Sequence, residues 1–130
     1  MYRQKKISYW ARKKKPRDGQ SNAQSSYCLS HHYHRSKLEA RVCDELRLRK
    51  IAGDILDYRI EVPIVLMDGE VNISKYIGKY VADFVVDHVD GTKEIIEAKG
   101  IQFTMFKKKW AALERMYQND VNMKLTMVTR

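Results

Sequence analysis

The chain has 130 residues, of which 32% are charged, a formal net charge of +9 and two cysteines. That length encloses one small core with a high exposed fraction, which dimerisation would relieve. Two cysteines exclude a disulfide framework, and no apolar run approaches membrane-spanning length. The polar, basic start has no apolar h-region of a signal peptide, so a soluble protein of a reducing cytoplasm is expected.

The basic excess is concentrated at the start. Residues 1–35 hold nine Lys or Arg against Asp18 alone, leaving sixteen against fifteen acids in residues 36–130. Lys13, Lys14, Lys15 and Arg17, with Tyr2, Tyr9 and Trp10 nearby, precede the polar stretch Asp18 to Ser26. Such a segment builds no core of its own, so residues 1–35 are read as a flexible basic arm and 36–130 as the folded domain. On nucleic acid its cations would neutralise phosphates and its aromatics would stack on unpaired bases; a solvated tail has the same composition. His31, His32 and His34 suggest a metal site, but adjacent histidines diverge, and the spacing of Cys28 and Cys43 shows no set that completes a tetrahedron. Phosphate contact or helix entry is the expectation for these histidines, and free thiols for the cysteines.

From Ser36 to Ile51 the periodicity is helical, with Leu38, Val42 and Leu46 as the apolar stripe, Ser36 as N-cap and Gly53 just beyond the end. Glu39 lies in the first turn beside that stripe, where it either favours the helix dipole or points along the core edge toward the sheet. Leu56 to Leu66 reads as a strand, and Pro63 places it at an edge or a bulge. Lys79 to Asp87 and Lys93 to Ala98 are rich in β-branched and aromatic residues around Asp90-Gly91, the signature of a hairpin. A three-residue loop, Val89-Asp90-Gly91, with Gly91 left-handed, pairs His88 with Thr92 and sets Asp83 opposite Glu97. Alternation then puts Asp83, Glu97 and Lys99 on one side, with opposed Cβ atoms roughly 5 Å apart. A two-residue loop would break this register. His88, near the tip, is expected at the surface.

Two carboxylates at that spacing repel, so they share a proton or bind a divalent cation. Oxygen ligands suit Mg²⁺ or Mn²⁺, which acidifies water and offsets charge on a phosphate, while Lys99 would steady the same charge. Surface carboxylates with a bridging lysine are the plainer reading. Against it, both acids interrupt apolar strands, where an unpaired charge is costly.

Thr104 to Asn119 reads as a second helix with Phe106, Trp110, Leu113 and Tyr117 as its stripe and Lys107, Lys108, Lys109 and Arg115 on other faces. Lys124 to Val128 is a final strand, parallel to its neighbour across the helical crossover. The order is αβββαβ, a mixed four-stranded sheet flanked by helices.

A helix bearing Glu39, a strand, then Asp83, then Glu97-Ala98-Lys99 resembles the PD-(D/E)XK nucleases, the restriction-endonuclease-like fold. Closer still is the similarity to a phage-borne group within that superfamily. It is carried by Ser36-Lys37-Leu38-Glu39-Ala40, Gly53-Asp54-Ile55, Val62-Pro63, Tyr80-Val81-Ala82-Asp83-Phe84, Glu97-Ala98-Lys99-Gly100, Thr104 and the lysine-rich helix. The Arg35-Ser36-x-Leu38-Glu39 opening, Val62-Pro63 and Lys99-Gly100 also look like phage endonuclease I type Holliday-junction resolvases.

The resemblance spans residues 35–128 and implies a metal-dependent endodeoxyribonuclease acting on branched or duplex DNA, working as a homodimer in a phage-infected host cell. Asp83, Glu97 and the Ala98 carbonyl would hold Mg²⁺, or Mn²⁺ in its place, and Lys99 would be the catalytic lysine. Glu39 would be the helix acid. DNA contact would fall to Lys13, Lys14, Lys15, Arg17, Arg35, Lys37, Lys107 and Lys108. Ala82 stands where the motif has proline, and Glu61 where the phage group often has glutamine. A silent nuclease-fold DNA binder and an assembly protein with a basic arm are the alternatives.

Overall fold

The structure, a computed structural model, describes residues 24–68, 75–99 and 104–129. In chain order the elements are β1 (Ser26–Tyr27), β2 (Tyr33–His34), α1 (Lys37–Ile51), β3 (Ile55–Asp68), β4 (Lys75–His88), β5 (Lys93–Ala98), α2 (Thr104–Tyr117) and β6 (Met123–Val128). β1 and β2 form a small antiparallel hairpin. The other four strands make one mixed sheet in the order β3-β4-β5-β6, antiparallel except for the β5–β6 pair.

Local chemistry accounts for the element ends. Ser36 is extended (φ −143°, ψ 158°) and its hydroxyl accepts from the Glu39 N–H at 3.1 Å, satisfying a helix-start donor that has no carbonyl partner. α1 closes with Ala52 and Gly53 N–H groups bonded back to Leu48 and Lys50, and Gly53 adopts φ +81°, where a side chain would be strained. The β4–β5 turn has the expected three-residue loop. The His88 N–H meets the Thr92 carbonyl at 2.9 Å, and Gly91 sits at φ +90°. Asp90 holds the turn from within, accepting from the Thr92 N–H and hydroxyl.

Two cores lie on opposite faces of the sheet. α1 contributes Leu38, Val42, Cys43 and Leu46 to one, against Phe84, Val86, Ile96 and Ala98. α2 contributes Trp110, Ala112 and Leu113 to the other, against Tyr80, Ala82, Val85 and Ile95. Each fully buried Phe or Leu among them contributes roughly 2 kcal/mol.

The faces exchange partway along β3 and β4. Tyr58 and Ile60 join the α1 core, whereas Val62, Ile64 and Leu66 join the α2 core; Phe84 and Val86 likewise oppose Tyr80 and Ala82. All are even-numbered, so regular alternation would have kept each set on one face. The switch occurs at Glu61, which has φ +50°, and at Asp83, the two residues that lie between the Ile60↔Phe84 and Val62↔Ala82 pairs. A left-handed residue inside a strand reverses the side-chain phase without shifting the ladder, at a cost on the order of 1 kcal/mol.

Two expectations need correction here. The folded unit does not begin at Ser36: residues 24–35 contain the β1–β2 hairpin, whose Cys28 and His34 are buried against α1. Sequence reading saw only its polar composition, and missed that a short hairpin gains stability from burial against a helix rather than from its own core. β3 and β4 also run further than the apolar pattern suggested, to Asp68 and from Lys75. β3 is an edge strand, as Pro63 required. Residues 1–23, with Lys13, Lys14, Lys15 and Arg17, lie outside the described residues.

Candidate active site

The site forms where β4 and β5 part. Their ladder runs from Asp87↔Lys93 to Phe84↔Ile96 and stops there. On its other side β5 stays paired with β6 through Ala98↔Val128, and the Lys99 N–H still bonds to Val128 at 2.8 Å. The end of β5 is therefore held from one side and open on the other. Asp83 fills the opening: its carboxylate accepts from the Ala98 N–H at 2.9 Å, replacing the backbone partner that β4 no longer offers.

Into this fork project the acids expected from the sequence. Glu97 is buried, accepts from the Tyr80 hydroxyl, and lies 3.4 Å from the Lys99 ammonium. Lys99 also sits over the Phe106 ring of α2, 4.9 Å from its centroid, a position that keeps the long side chain beside the carboxylates. Glu39 arrives from the first turn of α1, its carboxylate accepting from the Arg35 N–H at 3.2 Å.

Burial and mutual repulsion shift the ionisation of all three acids. Burial pushes the Asp83 carboxyl up, and the charges of Glu97 and Glu39 push it further, against the Ala98 hydrogen bond and Lys99. Glu97 is raised by burial, opposed by Tyr80 and Lys99, and Glu39 is raised by burial and by Glu97. Tyr80 is raised by burial and by the two acids, so it remains a donor. Fully ionised, three carboxylates and one ammonium carry a formal charge of −2, held in a half-buried fork lined with oxygen atoms. That donor set fits a hard divalent cation such as Mg²⁺ or Mn²⁺.

Sequence reasoning missed Tyr80 and Phe106. Both sit in apolar stripes, so only their contacts distinguish them from ordinary core aromatics. Glu61 is exposed and does not enter the acid cluster; its charge is felt instead by His34. Of the remaining basic candidates, Lys107 and Lys108 lie on the exposed side of α2, and Arg35 and Lys37 are exposed at the start of α1, where Arg35 acts electrostatically on Glu39. Lys109 instead donates to the Lys79 carbonyl at 3.1 Å.

Two further sequence readings are overturned. His88 is not a plain surface residue: it is 3.0 Å from the buried carboxylate of Glu94, which also accepts from Thr126. The histidines and cysteines, read as unable to complete a tetrahedron, do converge, because Cys28, His32, His34 and Cys43 present ligand atoms all within 4.8 Å of one another. His32 and His34 are alternate residues of an extended segment and so point the same way, toward Cys43, which folding brings from nine to eleven residues further along the chain. His-x-His on a strand was the signal available.

No described helix is long and apolar enough to cross a membrane. Comparison with curated proteins and with solved structures yields no match. Residues 24–130, which include every described residue, match a family model described as "Protein of unknown function (DUF1064)", and the chain belongs to that family.

Proposed function

We propose that this protein is a metal-dependent DNA endonuclease with a restriction-endonuclease-like core, acting on branched or duplex DNA as a homodimer. The observation that carries the reading is the placement of Asp83 and Glu97 beside Lys99 at the β4–β5 fork, with Glu39 near enough to act on both electrostatically, where half-buried acids repel in the absence of a cation. Asp83, Glu97 and the Ala98 carbonyl would hold Mg²⁺ or Mn²⁺, with Glu39 alongside. Such a cation supplies Lewis acidity, acidifying water and offsetting charge on the scissile phosphate.

The chain's own groups have separable tasks. Tyr80 fixes the orientation of Glu97, and the Ala98 N–H does the same for Asp83. Lys99 places a positive charge where negative charge grows on the phosphate oxygens during attack, so its contribution is specific to the transition state. Arg35, Lys37, Lys107 and Lys108 would bind flanking phosphates, and a second copy would supply the symmetric incision that junction resolution needs.

Cleavage of four-way, flapped and linear DNA with Mg²⁺ or Mn²⁺ tests this. Asp83→Ala should abolish cleavage, and Lys99→Ala should slow it by about 10²- to 10³-fold while binding persists. DNA that is bound but left intact under all these conditions, or cut equally well by both variants, overturns the enzyme reading.

A further inference from the structure

The cluster Cys28, His32, His34 and Cys43 lies apart from the carboxylates and has no part in the proposed cleavage. We propose that these four residues form a structural zinc site that ties the N-terminal β1–β2 hairpin to α1.

The fold presents the donors from two directions. Cys28 and His32 flank a tight turn closed by the Cys28 N–H to His32 carbonyl bond at 3.0 Å and the His31 N–H to Cys28 carbonyl bond at 2.9 Å. His31 takes the left-handed conformation that this turn requires (φ 65°). β2 carries the chain on to His34, while Tyr33 points the other way and packs edge-on against Tyr27, 5.6 Å between centroids. From the opposite side comes Cys43, 1% exposed in the interior of α1.

Distances, donor types and charge all suit tetrahedral zinc. Two thiolates and two imidazoles are a set that zinc takes in closed structural sites. With Zn–N near 2.0 Å and Zn–S near 2.3 Å, an N–S edge of the tetrahedron is about 3.5 Å. His32 Nδ1 and Cys43 Sγ are 3.5 Å apart. The remaining separations, up to 4.8 Å, close with small side-chain rotations. Binding displaces one proton from each thiol, so Zn²⁺ with two thiolates and two neutral imidazoles has no net charge to bury.

An independent observation points to a ligand. His34 Nε2 is buried and has no hydrogen-bond partner among the described residues, although its ring packs against Phe84 at 5.9 Å. A buried polar atom left unpaired is costly, and metal ligation fixes both the tautomer and the ring.

The location gives the site its role. His34 is two residues before the Ser36 cap, and Arg35 holds Glu39 through its N–H. Zinc would thus anchor the entry to α1 and, through it, the helix turn that delivers Glu39 to the fork. A chain this small gains disproportionately from such a clamp.

The test is metal analysis of the untagged full chain, purified under reducing conditions, exposed to Zn²⁺ and gel-filtered. One zinc per chain is expected, lost in Cys28→Ser and His34→Asn but kept in His31→Asn, an exposed position outside the four-residue cluster whose left-handed backbone asparagine tolerates. Loss of zinc should lower Tm by at least about 5 °C. Because Cys43→Ser puts a hydroxyl at a fully buried helix position and costs stability by itself, Co²⁺ substitution of the unaltered chain provides the second measurement, with tetrahedral d–d bands and thiolate-to-cobalt charge transfer expected. A folded chain that retains no zinc and gives no such charge transfer overturns the site, as does zinc retained in both Cys28→Ser and His34→Asn.

Discussion

Asp83→Asn should stabilise the protein in magnesium-free buffer, and increasingly so as pH rises. The Asp83 carboxyl is pushed from its ordinary 3.8 to about 8, by burial first and then by Glu97 and Glu39. A group whose folded pKa lies above its unfolded value favours folding below the unfolded pKa, and that advantage is lost as pH climbs through the folded pKa. Four units at about 1.4 kcal/mol each set a ceiling of roughly 6 kcal/mol of destabilisation once the group is ionised. Asparagine removes the charge and keeps an oxygen to accept from the Ala98 N–H, a bond weakened by about 1 kcal/mol when its acceptor is neutral. Because the acids titrate together, part of the proton uptake passes to Glu97, leaving a net gain of about 2–3 kcal/mol at pH 8 and close to none at pH 4. Urea denaturation at constant ionic strength at both pH values measures this as a shift in midpoint. Saturating Mg²⁺ should then stabilise the parent chain and not the variant. A variant less stable than the parent at pH 8, or a difference independent of pH, would refute the electrostatic reasoning.

Glu94 should show the opposite pH dependence. Thr126, His88 and Lys124 outweigh its burial and hold its carboxyl below the ordinary range, so it stabilises the fold above that range and the gain is lost on acidification. Glu94→Gln should cost about 2 kcal/mol at pH 7 and less at pH 3, read from the same denaturation curves. Ser36→Ala removes the cap on α1 and should cost about 1 kcal/mol; by freeing the turn that carries Glu39 it should also lower cleavage more than stability, measured by rate and Tm side by side. For DNA binding, Lys107→Ala with Lys108→Ala should reduce the slope of log affinity against log salt by about 2, seen in fluorescence titrations, if both side chains neutralise phosphates.

Much of the carboxylate site was legible in the chain because it depends on short-range rules. Gly91 after Val89-Asp90 sets the hairpin loop, the loop sets the register, and the register places Asp83 beside the end of β5, where its side chain takes the Ala98 N–H. Ser36 announces α1, and an apolar stripe beside Glu39 directs that acid along the core edge. Tyr80, three residues before Asp83, joins the site only because the side-chain phase reverses between them, an event set by tertiary strain at Glu61 that no alternation pattern contains.

What the residues alone determined, then, was whatever follows from spacing within one element or across one tight turn: the helices and the β4–β5 hairpin with its register, although the ladder ends at Phe84↔Ile96, one step short of the expected Asp83–Glu97 pair. The fold decided whatever needs segments far apart in the chain to meet. Cys28 and Cys43 become neighbours through a hairpin docked on a helix, Glu39 reaches the fork from another layer, and Lys99 is steadied by Phe106 of α2. Periodicity reports which side of an element is apolar, but the partner that covers that side, and the donors it brings along, are chosen by the packing of whole layers.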